Sequence, residues 1–196
     1  MQLVTIGVDP DLHGAISIFD HHRALVSVVD TPITEEGKIE PADISSLLRD
    51  WIRNNQVKIF LEHGNPGRHN GAKSIAVTNE IYGIWRGLAT AYGIELVSVL
   101  PYAWKGRFGL NTDQINAQQD KITTRLKKTK REQVDDIHMQ VLVGTTYQQS
   151  KEAARLKAIE LFPNWLKQLE HKGNHGRAEA ILIGWYGVRK YDKRIG

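Results

Sequence analysis

The chain has 196 residues, 41% of them hydrophobic, with no cysteine and a formal net charge of +4. That length suits one domain with a real core, and the absence of cysteine excludes disulfides and thiolate zinc sites while permitting a reducing compartment. No stretch is long and apolar enough to cross a bilayer, and the small positive charge permits nucleic-acid binding without requiring it.

The opening residues, Met1-Gln-Leu-Val-Thr-Ile-Gly-Val-Asp9, read directly as a buried strand over 3–9, so no secretory signal is expected. An organellar protein would need a leader ahead of it. Pro10 stops the strand and Asp11 to Gly14 make a turn. Strands over 14–20 and 24–29 follow with short connections, the pattern of an antiparallel meander. A helix is predicted over 41–54, with Ile44, Leu47, Leu48, Trp51 and Ile52 on one stripe and Pro41 in its first turn. Val57 to Leu61 fits a strand buried on both faces.

The loop from Gly64 to Gly71 is rich in glycine but lacks the lysine-serine signature of a phosphate loop, so no nucleotide cofactor is expected. A long helix over 72–92, with Val77, Ile81, Ile84, Trp85 and Leu88 as its core stripe, leads to a fifth strand over 94–100. Residues 111–150 are polar, and Lys121, Arg125, Lys127, Lys128, Lys130 and Arg131 form a basic block with no acid inside it. That segment could be a DNA-gripping arm, a dimer element or an insertion. Helices over 150–162, 164–170 and 175–190 end the chain, and no internal repeat is evident.

The residues that could carry chemistry lie at the edges of these elements. Asp9 and Glu62 each end an apolar strand, where an acid is either a turn former facing water or a ligand. His175 and Glu179 open the last helix at i,i+4 spacing, which puts both on one face, as surface decoration or as a ligand pair. Carboxylates gathered from such places make a site for hard divalent cations, and two such ions can hydrolyse a phosphodiester. Lys105, Arg107 and Phe108 form a basic run with an aromatic inside it, suited either to phosphates and an unpaired base or to a connecting loop with Phe108 in the core. Trp51, Trp85 and Trp165 read as core, and His21, His22 and His138 show no metal spacing.

Several segments together resemble the RuvC-type Holliday junction resolvases of the ribonuclease H-like superfamily, nearest to the plant chloroplast resolvases and their phage and bacterial relatives. They are Ile6-Gly-Val-Asp-Pro-Asp-Leu-His-Gly-Ala15, Phe60-Leu-Glu62, Pro101-Tyr-Ala-Trp-Lys105, Ser150-Lys151, Leu161-Phe-Pro163 and His175-Gly-Arg-Ala-Glu-Ala180. The first alone would also fit sugar kinases, whose second domain this chain is too short to hold. The resemblance implies a ribonuclease H-like α/β fold over 1–196: a five-stranded mixed sheet, three strands antiparallel and then two parallel, flanked by helices, with an insertion at about 111–148. Asp9 and Glu62 would then lie side by side on adjacent parallel strands.

The same resemblance implies a metal-dependent endonuclease that cuts four-way DNA junctions by paired symmetric nicks, leaving 5′-phosphates and 3′-hydroxyls. Its implied metal ligands are Asp9, Glu62, His175 and Glu179, holding two Mg²⁺ or Mn²⁺ ions with Asp9 between them. Lys151 is the implied catalytic lysine, although as a residue by itself it reads as a solvated helix-start lysine. A histidine at 175 departs from the carboxylate of many relatives and makes Mn²⁺ as plausible as Mg²⁺. A two-fold symmetric substrate implies a homodimer, with the 72–92 helix as the expected interface. Other ribonuclease H-like nucleases, acting on RNA–DNA hybrids or as transposases, and a non-catalytic nucleic-acid-binding module are the alternatives. The expected location is the chloroplast nucleoid for a plant protein and the cytoplasm otherwise, with no membrane association.

Overall fold

In a computed structural model of the protein, residues 1–63, 72–117 and 146–191 are described. The apolar runs become β1 (Gln2–Asp9), β2 (Ala15–Phe19), β3 (Leu25–Asp30), β4 (Asn55–Glu62) and β5 (Glu95–Val99). They form one sheet in the order β3-β2-β1-β4-β5. The β1–β2 and β2–β3 pairs are antiparallel, as short turns require, and β1–β4 and β4–β5 are parallel because helices make those crossovers. This is the five-stranded mixed sheet expected from the sequence.

Helices cover both faces. On one, Val4, Ile6, Val8, Ile59 and Leu61 pack with Ile44 and Leu48 of α1 (Pro41–Ile52) and Ile81 and Trp85 of α2 (Ala72–Ala91). The other face carries Phe19 and Phe60. It is covered by α3 (Pro101–Arg107), α4 (Thr146–Leu161), the short α5 (Leu166–Leu169) and α6 (His175–Tyr191). Ala178, Ala180, Ile181, Leu182 and Ile183 of α6 are all fully buried, so this helix is enclosed on nearly every side.

What seats α6 so closely is the absence of side chains. A Cβ on Gly7 of β1 would stand 2.2 Å from the Gly184 nitrogen and 2.4 Å from the Ala180 carbonyl oxygen. At the helix start, a Cβ on Gly176 would stand 2.2 Å from the carbonyl oxygen of His13 in the β1–β2 turn. The Ser17 hydroxyl of β2 donates to the Ala180 carbonyl at 2.7 Å, giving the buried hydroxyl a partner.

Two boundaries differ from the sequence reading. Residues 101–107, left without an assigned element, form a helix: Pro101 suits its first position and Trp104 is fully buried beneath it. The helix expected at 150 begins at Thr146. Residues 112–117 are also helical. The Gly64–Gly71 loop, the Lys121–Arg131 basic block and His138 lie outside the described residues. Among the described residues no helix is long and apolar enough to cross a membrane.

Candidate active site

Parallel pairing of β1 with β4 aligns Gly7 with Phe60 and Val8 with Leu61. Asp9 and Glu62 are the next residues along, at the carboxyl ends of neighbouring strands where α/β sheets commonly bind ligands. Side chains alternate along a strand, and Gly7 and Phe60 both meet α6, so Asp9 and Glu62 turn to the α6 face as well. Glu179, one turn into α6, is 8% exposed and completes the group.

The three carboxylates feel one another. Burial, then Glu179 and Glu62, push the Asp9 carboxyl well above the usual carboxylate range, with Lys151 acting in the opposite direction. Burial, then Glu179, raise Glu62 to about 7 against the opposing effects of Lys105, Trp104 and Lys151. Part of Asp9 and of Glu62 remains accessible, so the crowded charges are not sealed within the core.

α3 supplies the balancing groups. The Trp104 indole N–H donates to Glu62 Oε2 at 2.5 Å and fixes that carboxylate. The Lys105 Nζ stands 3.1 Å from Glu179 Oε1 and 5.1 Å from the centre of the Trp104 ring. Burial draws the Lys105 pKa down, but Glu179 and Glu62 outweigh it and hold the ammonium charged. Lys151, near the start of α4, acts electrostatically on Asp9, Glu62 and His175. Burial, then Lys151, lower the His175 pKa, which favours the neutral imidazole. Its Nδ1 is buried without a hydrogen-bond partner.

Two ion pairs hold the supporting helices. Arg177 of α6 pairs through two nitrogens with Asp30 at the end of β3, each at 2.6 Å, pinning the helix start to the sheet edge. Arg155 of α4 binds Glu152 and donates to the Leu169 carbonyl at 2.7 Å, tying α4 to the segment that leads into α6.

The fold therefore gathers Asp9, Glu62, Glu179 and Lys151, with His175 beside them next to Lys151 and Glu179. Lys105 faces inward to this site, Arg107 is exposed, and Phe108 is half-buried against the second core. Trp104 is the residue that sequence reasoning missed as part of the site. Its signal was present, since Pro101 opens a helix and Trp104 and Lys105 follow within its first turn and a half. As they stand, no three His, Asp or Glu side chains among the described residues converge as a formed metal cluster. The donor set nonetheless fits a hard or borderline divalent cation: crowded carboxylates short of positive charge, and one neutral imidazole with an unsatisfied nitrogen.

A pH dependence follows for the metal-free protein. Glu62 ionises near 7 in the folded state and near 4.5 otherwise, so between those values the native state holds a proton that the unfolded state has lost. Stability is expected to fall as pH rises from about 5 to 7; Asp9, raised well above the usual carboxylate range, adds to that fall, and His175, whose pKa is lowered, works against it. Asp30 and Glu152, whose pKa values are lowered by their arginine partners, act with the opposite sign only at lower pH. Melting temperatures in chelator at pH 5, 6, 7 and 8 check this, and Glu62→Gln should flatten the slope. A melting temperature that climbs between pH 5 and 7 would contradict it.

No family model and no curated protein matches the sequence. Among solved structures, the protein is similar to RuvC from T. thermophilus, determined in complex with a Holliday junction substrate. The TM-score is 0.50 over 95% of each chain, at 11% sequence identity. At that identity the likeness is one of architecture: the chain has the ribonuclease H-like fold that RuvC has.

Proposed function

We propose that this protein is a divalent-metal-dependent endonuclease that cuts four-way DNA junctions. The observation that carries the reading is the meeting of Asp9, Glu62 and Glu179 at the carboxyl end of β1 and β4, in a fold similar to that of RuvC in complex with a Holliday junction substrate. Asp9, Glu62 and Glu179, with His175 at the margin, would hold Mg²⁺ or Mn²⁺, as two ions in the full site. Bound there, such ions polarise a phosphodiester and make water a competent nucleophile at neutral pH. The chain's own groups do the rest. Trp104 orients Glu62, Lys151 sets positive charge beside Asp9 where a phosphate would approach, and Arg107 offers an exposed cation for the backbone. Water adds to phosphorus, the 3′ oxygen leaves and takes up a proton, and the products are a 5′-phosphate and a 3′-hydroxyl.

A junction has two-fold symmetry, so two copies of the chain acting as a homodimer would place one site on each of two strands. Kinship with the chloroplast branch of the resolvases rests on the sequence motifs, above all His175 with Glu179. A non-catalytic nucleic-acid-binding module is favoured by one observation: Lys105 engages Glu179 at 3.1 Å.

A cleavage assay separates these readings. The substrates are a synthetic immobile junction, the matching linear duplex and an RNA–DNA hybrid, each with Mg²⁺, Mn²⁺ or chelator. The expected result is metal-dependent paired nicking of the junction alone, with ends that a ligase can rejoin. Cutting of the hybrid in place of the junction would move the protein to another nuclease class. Junction binding without turnover in either metal would make it a binding module.

A further inference from the structure

We propose that Lys105 is a built-in competitor for the divalent cation: its ammonium neutralises Glu179 in the metal-free protein and must leave that carboxylate when the metal binds. The inference rests on the reading of Asp9, Glu62 and Glu179 as a metal site. Lys105 was expected from sequence to face DNA, yet its Nζ is 3.1 Å from Glu179 Oε1, in a pair whose side chains are only 23% and 11% exposed. A lysine on a short helix would ordinarily extend its ammonium into water. Here Trp104, fully buried just before it and bonded to Glu62, anchors α3 so that Lys105 reaches across to α6.

The charge count explains why both cations cannot be held equally well. Ionised Asp9, Glu62 and Glu179 carry three negative charges. Lys105 and Lys151 are the two lysines acting on Glu62, so the three carboxylates when fully ionised exceed them by one charge, an excess that the raised pKa values of Asp9 and Glu62 relieve by protonation when no metal is bound. One divalent ion together with Lys151 already balances all three carboxylates. Lys105 is then surplus and is repelled by the ion. The absence of a formed three-residue metal cluster among the described residues accords with this, because Glu179 is committed to the ammonium.

Lys105 therefore acts as a positioning residue that holds Glu179 in the metal-free state and sets the metal affinity. The test measures Mn²⁺ binding to the full chain by calorimetry at pH 8, for the wild type, Lys105→Met and Lys105→Arg. A charge within a few ångströms is commonly worth 1–3 pKa units, so Lys105→Met is expected to bind Mn²⁺ about tenfold more tightly or better. It should also melt at a lower temperature than the wild type in chelator, and Lys105→Arg should restore wild-type affinity. In the wild type, acetylation of Lys105 by acetic anhydride, mapped by mass spectrometry, should rise several-fold at saturating Mg²⁺. This last readout does not depend on the variants folding. Equal or weaker Mn²⁺ binding by Lys105→Met beside a wild type that binds would overturn the inference alone, as would unchanged acetylation under saturating Mg²⁺. Absence of Mn²⁺ binding by every protein would overturn the metal site and this inference with it.

Discussion

Asp9→Asn is expected to lower metal-dependent junction cleavage by about a thousandfold or more, while the folded protein still binds the junction. The amide has the shape of the carboxylate and leaves the β1 backbone pairing with Ala15 intact. What it removes is the carboxylate on which Glu179, Glu62 and Lys151 all act. A ligand carboxylate supports several kcal/mol of charge stabilisation in such a reaction, and about 1.4 kcal/mol is tenfold in rate. The same change relieves crowding among three acids, so the metal-free variant should melt at a higher temperature than the wild type, and its DNA affinity should hold or increase. Loss of cleavage with gain of stability is a pairing that a misfolded variant cannot imitate. Cutting at the wild-type rate in Mg²⁺ or Mn²⁺ would remove Asp9 from the chemistry.

The frame of this site was legible because it rests on one-dimensional patterns. Apolar runs closed by Asp9 and Glu62 announce strand ends, and His175 with Glu179 announces one face of one turn. Strand order then followed from the fold that the resemblance implied. What could not be read was the third dimension of side chains from different elements. Nothing local to Lys105 says whether its ammonium meets water, phosphate or Glu179; that depends on where α6 lies relative to α3. Phe108 posed the same choice, and its packing beside Trp104 and Leu110 came from the helix that Pro101 starts. The pairing of Arg177 with Asp30 joins residues 147 positions apart and leaves no trace in spacing.

The α6 glycines were legible in principle. Gly176, Ala180, Gly184 and Gly187 recur at intervals of four, four and three, a strip of minimal side chains along one side of the helix. A Cβ at Gly187 would meet the Phe60 ring at 2.3 Å, and one at Gly184 would meet Ser17 Oγ at 2.6 Å. A backbone laid directly on the sheet has use for such a strip, and the contacts of Gly184 and Gly187 are with β2 and β4. It brings Glu179 to the level of Asp9, and a helix held away by ordinary side chains would leave the two acids in separate solvent. The packing of β1 on α6 is thus a condition for the site as much as for the core.

Gly7→Ala tests that condition, and its effect on stability should be among the largest of any single methyl group added to this protein. The new Cβ would lie 2.2 Å from the Gly184 nitrogen, 2.4 Å from the Ala180 carbonyl oxygen and 2.5 Å from the Gly184 Cα. All three are backbone atoms of a helix pinned at Ser17 and Asp30, so no side-chain rotation relieves the clash. Overpacking against yielding neighbours costs about 1–3 kcal/mol; against a fixed backbone the loss should reach about 3 kcal/mol or more. Gly83→Ala in α2 is the control. Nothing lies within 4 Å of its Cβ, and alanine in a helix interior should add up to about 1 kcal/mol. Urea midpoints for the two variants should therefore move in opposite directions. If Gly7→Ala folds at all, Glu179 will have moved away from Asp9, and Mn²⁺ binding should weaken together with cleavage. A Gly7→Ala protein of wild-type stability would mean that α6 does not rest on β1 in solution, and the three carboxylates would then have no common site.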